Sequence, residues 1–297
     1  MSESDWPRRV TIVGLGLMGG SLGLAIRRAY PGVQLFGVDR NRRAVALALK
    51  LGLIGRGAPK LSAEPASVDL VFLATPVGAI LELLPCLPTL IGAQTLVSDL
   101  GSTKAQICKM GERLLPGRFI GGHPLAGSER SGLAAADPEL LRGAPYALTP
   151  CGDAQEPALE RLARFLQMLG ARVLIIGPEE HDRIVARTSH LTQLLSVALA
   201  GLIVEKGRED ERYLRLCGGG LRDMTRLAAS PYPIWRDVLR TNASEIDHAL
   251  GEFREILERL QDRLVTGDLQ AEFARAGELI EHSPANDRSE CVEPVGG

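Results

Sequence analysis

The feature that most constrains this chain is Gly14-Leu-Gly16-Leu-Met-Gly19. It follows the apolar run Val10–Val13 and opens a helical pattern over Ser21–Ala29. A Gly-x-Gly-x-x-Gly alone is weak, because glycine is common in turns. Between a strand and a helix it is a dinucleotide fingerprint, with the first glycine for a tight turn and the second for close backbone approach to a pyrophosphate. The third glycine lets helix and strand pack closely. The helix N-terminus, around Leu17 and Met18, offers amide donors and the positive end of a dipole to phosphates. Asp39 ends the next strand pattern, 20 residues after Gly19. An acid there accepts from a ribose diol and favours NAD, while its neighbour Arg40 keeps NADP possible by offering a cation to a 2′-phosphate.

The rest of the first half repeats the unit. Apolar runs at Gln34–Val38, Leu70–Ala74, Thr95–Ser98, Arg118–Gly121, Ala144–Leu148 and Arg172–Ile176 are separated by helical patterns at Arg42–Leu51, Ala105–Leu114 and Ala158–Leu169. Continuous rather than alternating apolar runs suit strands buried on both faces, and alternating strands and helices imply a parallel sheet. Past Gly177-Pro178 no convincing strand remains. Ile184, Thr188, Leu191, Leu195, Ala198 and Leu202 keep a helical period, predicting a long helix over His181–Lys206. Shorter helices are expected over 211–216, 223–229, 234–264 (broken) and 268–281. The fold expected is an α/β Rossmann domain with a parallel sheet over 1–178. An all-helical substrate and dimerisation domain over 179–283 and a disordered tail over 284–297 follow.

Composition narrows the function classes. The chain has 297 residues and a formal net charge of −2, which argues against broad electrostatic binding to nucleic acid or an anionic membrane. Its apolar runs read as shorter than the ~20 residues of a membrane span. Five scattered cysteines, with no CxxC or His/Cys cluster, predict neither a disulfide framework nor a metal site. The N-terminus has no signal-peptide pattern, so the cytoplasm is the expected compartment.

Three further stretches carry chemistry. Thr75-Pro76 closes the third main strand, where cofactor-lining loops sit. Ser102, in Asp99-Leu-Gly-Ser-Thr-Lys104, either caps the next helix or belongs to the reaction site. His123, in Gly121-Gly-His-Pro-Leu-Ala-Gly-Ser-Glu129, lies just past a strand in a glycine-rich loop and is an acid/base candidate. His181-Asp182 reads as a cap or an ion pair.

With these residues the chain resembles the prephenate/arogenate (cyclohexadienyl) dehydrogenases of tyrosine biosynthesis. The resemblance rests on GLGLMGGS (14–21), ATPV (74–77), DLGSTK (99–104), GGHPLAGSE (121–129) and EEHD (179–182). TSHL (188–191), GGGLRDMTRLA (218–228) and IWRDV (234–238) followed by Asn242 complete it. It implies oxidative decarboxylation of a cyclohexadienyl acid with NAD or NADP. Hydride would leave C4 of the ring as the 4-hydroxyl loses its proton, and the ring carboxylate would leave as CO₂ as the ring aromatises. By the same match His123 is the proton acceptor, and Ser102 orients the hydroxyl or the nicotinamide ribose. Arg226 holds the ring carboxylate, while His190 and Trp235 line the pocket. Relatives often carry Ser-His-Leu-Pro-His where this chain has Ser189-His190-Leu-Thr-Gln193. Gln193 cannot be charged, which leaves prephenate and arogenate both open. A homodimer through the C-terminal helices is expected, since Ser196, Ala198, Ala200 and Gly201 permit close helix approach. The alternatives are a β-hydroxyacid dehydrogenase, disfavoured because its helical lysine is missing before Lys206, and a non-catalytic NAD-sensing module.

Overall fold

The computed structural model describes residues 6–62, 68–127, 130–152 and 156–282. Ser128 and Glu129 of the GGHPLAGSE stretch, and the tail expected to be disordered, lie outside them. Residues 1–246 form one compact unit and 247–297 another.

The first unit begins β1 (Arg9–Val13), α1 (Leu17–Ala29), β2 (Gln34–Val38), α2 (Arg42–Lys50), β3 (Arg56–Ala58) and β4 (Leu70–Leu73). Next come α3 (Val77–Leu83), a 3₁₀ turn into α4 (Leu87–Leu90), β5 (Leu96–Asp99), α5 (Ala105–Leu114) and β6 (Phe119–Pro124). β7 (Pro145–Pro150), α6 (Glu156–Met168) and β8 (Arg172–Ile175) complete the sheet, in the order β3-β2-β1-β4-β5-β6-β7-β8. This is the doubly wound order, whose switch point lies between β1 and β4. Successive residues of β4 feed opposite cores: Leu70 and Phe72 pack on the α1 and α6 side, Val71 and Leu73 on the α3 and α5 side. Burial on both faces is why the strands read as unbroken apolar runs.

The expected parallel pairing holds at every junction of the sheet but one: β7 pairs antiparallel with β6. Among the described residues their connection holds a 3₁₀ turn at Leu133–Ala135 and no α-helix, and an antiparallel neighbour needs no crossover helix. That pairing, through Pro124↔Tyr146, also carries β6 past His123. The histidine therefore sits within the strand's last residues, paired with Ala147, rather than beyond its end.

The helical portion starts with α7 (Pro178–Val185), three residues earlier than expected because Pro178 takes the first helical position. A π-helical turn, Ala186–His190, leads without a break into α8 (Leu191–Glu209). Then follow α9 (Arg212–Arg215), α10 (Gly219–Thr225), a 3₁₀ turn over Arg226–Ala229 and α11 (Tyr232–Thr241). The continuous run Pro178–Glu209 is long and apolar enough, by length and hydropathy, to cross a membrane. Its polar members His181, Asp182, His190 and Gln193 are nonetheless buried against protein. α12 (Ala243–Thr266) runs from the first unit into the second, where α13 (Gln270–His282) follows, with Arg263 paired to Glu272 at 3.1 Å.

The glycine turn shows three distinct constraints. Gly14 has φ +100°, and a Cβ there would meet the Ala74 carbonyl oxygen at 2.5 Å. A Cβ on Gly19 would lie 1.9 Å from the Gly14 oxygen. At Gly16 a Cβ would meet nothing within 4 Å. Gly19→Ala should therefore cost about 2–3 kcal/mol, as backbone cannot yield to it, whereas Gly16→Ala should stay within about 0.5 kcal/mol. Denaturant unfolding of both variants checks this; equal losses would contradict the packing role of Gly19.

Candidate active site

The carboxyl ends of β1, β4, β5 and β6 lie side by side along one edge of the sheet. Each contributes one element of the site.

β1 contributes the glycine turn. Gly14 donates its amide to Val38 O at 2.7 Å, tying the turn to β2. Asp39, at the end of β2, accepts from the Leu15 amide at 2.8 Å through Oδ2 and from Asn41 at 2.7 Å through Oδ1. The acid is thus locked beside the turn, with Arg40 exposed next to it. Leu17 and Met18 open α1, so their amides belong to its unpaired first turn. β4 contributes Thr75 and Pro76, which lead into α3. The Thr75 hydroxyl oxygen is buried with no partner among the described residues, and its methyl lies 3.0 Å from a Cβ placed on Gly14. An open Gly16, an orphaned hydroxyl and a held carboxylate around one helix N-terminus suit a dinucleotide.

β5 and β6 pair through only two residue positions, Val97↔Phe119 and Ser98↔Ile120. Beyond them a buried ion pair takes over. Lys104 donates to Asp99 Oδ2 and, at 2.7 Å, to Gly122 O. Asp99 accepts in turn from the amides of Gly101 at 2.8 Å and Gly122 at 3.1 Å. Both side chains are fully enclosed. This frame fixes the loop that carries Ser102 against the residue preceding His123.

The helical elements dock onto the same edge through two carboxylates. Asp237 of α11 accepts from Gly78 N at 3.0 Å, in the first turn of α3. Asp182 of α7 accepts from Lys104 N at 2.7 Å and Ala105 N at 2.9 Å, where α5 starts. A carboxylate at a helix N-terminus satisfies orphan amides and complements the dipole. Asp182 therefore supplies the cap that Ser102 was one candidate for, and Ser102 lies partly buried in the loop.

Asp182 also anchors a chain of side chains. His181 Nδ1 lies 2.8 Å from Asp182 Oδ1, and His181 Nε2 lies 2.9 Å from His123 Nδ1. Asn242 Nδ2 donates to Asp182 O at 2.8 Å and meets His190 Nδ1 at 3.2 Å. The His190 ring stands edge-on to Trp235, 5.9 Å between centroids. Three expected site residues, His123, His190 and Trp235, are thus joined through His181, Asp182 and Asn242. His181 is the contact that sequence reasoning missed: an ion pair with Asp182 was expected, a bond to His123 was not. Its only signal was its place in the EEHD stretch.

Gln193 meets the turn that carries Arg226. Gln193 is buried and donates to Leu227 O at 2.8 Å, and Ser196 Oγ accepts from Ala228 N at 3.0 Å. α8 thereby grips the 3₁₀ turn that begins at Arg226, whose side chain is exposed.

Burial, then the neighbouring His181, Lys104 and His190, hold the His123 imidazole well below its ordinary proton affinity. Burial lowers His190 to about 4, against the opposing pull of Asp182. Both rings are neutral at pH 7. The native state binds the His190 proton more weakly than the unfolded chain does. Stability is therefore fully present above about pH 6.5 and lost as the pH falls toward 4, by roughly 3 kcal/mol for a shift of this size. Unfolding of wild type and His190→Asn at pH 7 and pH 4 measures it. The variant should show a shallower acid loss; an identical loss would assign the effect elsewhere.

Two family models match the chain. One is the prephenate dehydrogenase nucleotide-binding domain, over residues 22–175, and the other the prephenate dehydrogenase dimerization domain, over 177–276. A prephenate dehydrogenase of Bacillus subtilis (strain 168) is 34% identical over 270 residues, covering 89% of this chain and 72% of that protein. The crystal structure of prephenate dehydrogenase from A. aeolicus with hydroxyphenyl propionate and NAD+ superposes with a TM-score of 0.86. It is 29% identical and the match covers 92% of this chain and 97% of that one. Synechocystis arogenate dehydrogenase gives 0.78 at 29% identity over the same shares.

Proposed function

The chain belongs to the prephenate dehydrogenase family, and from that premise we propose that it converts prephenate to 4-hydroxyphenylpyruvate by NAD-dependent oxidative decarboxylation, a step of tyrosine biosynthesis. The observation that carries the reading is the state of His123. Its Nδ1 is engaged by His181, it is neutral at pH 7, and it lies in the last residues of β6 beside the loop of Ser102. A neutral imidazole whose tied nitrogen carries the hydrogen is a base at the other.

NAD, when bound, accepts the hydride from C4 of the substrate ring. His123 Nε2 takes the proton of the 4-hydroxyl, and Ser102 orients that hydroxyl or the nicotinamide ribose. Arg226 holds the ring carboxylate with a planar fork of donors until it leaves as CO₂. His190 and Trp235 wall the pocket and exclude water. Gln193 acts through its bond to Leu227 O, which sets the turn bearing Arg226. Gly14, Gly16 and Gly19 admit the pyrophosphate to the amides of Leu17 and Met18. Asp39 offers its carboxylate to the ribose diol, and Thr75-Pro76 lines the nicotinamide side. Arg40, exposed beside Asp39, leaves a route to NADP.

The functional division falls at Gly177-Pro178, where the nucleotide-binding part gives way to helices. α8 exposes Val197, Leu202 and Val204, an apolar face suited to a second copy, and we read the enzyme as a homodimer. We read the reaction as cytoplasmic, a reading that suits small-molecule substrates. Arogenate is the second reading, kept open by the uncharged Gln193.

Absorbance of the reduced nicotinamide, with prephenate and arogenate in turn, tests the proposal. Prephenate should support NAD reduction, and His123→Asn should lower kcat by about 10²–10⁴-fold with NAD binding intact. No reduction with either acid, or near-normal kcat in the variant, would overturn it.

A further inference from the structure

The buried Asp182–His181–His123 series is not explained by helix capping. Asp182 already satisfies two amides of α5, and a cap needs no histidine beyond it. We propose that His181 and Asp182 complete the base: they hold His123 with its proton on Nδ1, and during turnover His181 Nε2 receives that proton. This deepens the proposed function and rests on it for the identity of the proton donor.

The bonding order follows from donor and acceptor chemistry. A carboxylate accepts only, so the His181 nitrogen facing Asp182 Oδ1, at 2.8 Å, carries the hydrogen. With that single ring hydrogen, His181 keeps a lone pair on Nε2. The His123 nitrogen 2.9 Å from it must donate. That leaves the lone pair of His123 on Nε2, the nitrogen not occupied by His181. If His181 were removed, nothing in this series would choose between the two tautomers of His123.

The destination of the charge follows from the surroundings. His123 faces Lys104 from the β5–α5 loop and His190 from the π turn. Asp99 of β5 is engaged by Lys104, and Tyr146 of β7 places its hydroxyl against Gly122. No carboxylate contacts His123 among the described residues, so a cation there is uncompensated. His181 has Asp182 in direct contact. In the proposed step the substrate O–H bond breaks and a bond from that proton to His123 Nε2 forms. The His123 Nδ1–H bond breaks and a bond to His181 Nε2 forms. One proton enters the pair, and the positive charge ends on His181 beside the Asp182 carboxylate. No oxidant or other reactant is needed.

His181 is a positioning residue here, since it acts through His123. His181→Gln can still accept from His123 Nδ1 but cannot take up the proton. Its kcat should fall about 10–100-fold, with the KM for prephenate and for NAD changed less than about threefold. The acidic limb of the kcat profile should move to lower pH, because the pair loses its proton site beside Asp182 and the proton falls to His123, which has no such carboxylate among the described residues. An unchanged kcat and limb, or a rise in KM with kcat preserved, would overturn the proposal. A second measurement needs neither substrate nor variant activity. Nitrogen-15 spectra of the histidine rings in the free wild-type protein at pH 7.5 should show His123 protonated on Nδ1 and bare on Nε2, assigned by its loss in His123→Asn. The opposite tautomer would overturn the proposal even if the enzyme oxidises prephenate. Failure of the enzyme to use prephenate, with the Nδ1–H tautomer present, would overturn the function and leave the bonding order standing.

Discussion

The carboxylate of Asp182 is the interaction on which the site depends. Its two oxygens take the amides that open α5 and the ring hydrogen of His181, while its own carbonyl holds Asn242. One residue at the start of the helical portion therefore sets where α5 begins, how α7 meets the sheet edge and which nitrogen of His123 is available. Such coupling is economical but brittle. Removing the side chain would leave orphan amides at a buried helix end, each costing about 1–3 kcal/mol, and would release the histidine pair as well.

The opposing anchor is the enclosed Lys104–Asp99 pair. Its attraction is largely offset by the cost of taking both charges out of water, so its presence is poor evidence of net stability. Its geometric effect is clear. β5 and β6 stop pairing after two positions, and the pair bridges the gap by holding Gly101 and Gly122. The strand end that carries His123 is thus fixed from one side by Lys104 and from the other by β7. A base held by strands, rather than by a loop, keeps its nitrogen within the tight tolerance that proton transfer requires. The positive charge of Lys104 also keeps His123 neutral, the state in which it can accept.

Much of the Rossmann half was legible because its signals are local. The glycine turn, the apolar strands and the acid at position 39 each depend on a few neighbouring residues. β3 was missed because Arg56-Gly-Ala58 has three residues and no apolar pattern; it exists because Gly57 lets the chain lie where a Cβ would strike Val45 at 2.6 Å. The direction of β7 was misread because a run of apolar residues carries no sign of its polarity. The π turn before α8 leaves no mark on the helical period, yet it places His190 between Asn242 and Trp235. Likewise His181 and His123 are 58 residues apart, and no local rule brings a helix start to a strand end. The residue types of the site could be read from the sequence, but their partners could not, because partners are a property of the packed edge.

If His181 works only through His123, the two behave as one unit, and a double-mutant cycle on kcat measures that directly. His123→Asn, His181→Gln and the combined variant are assayed with prephenate and NAD. Removing His181 from an enzyme that already lacks the His123 base should change kcat by less than about twofold, so the combined variant should match His123→Asn alone. Losses that multiply, with the double variant about 10–100-fold below His123→Asn, would show that His181 acts on its own and contradict the relay.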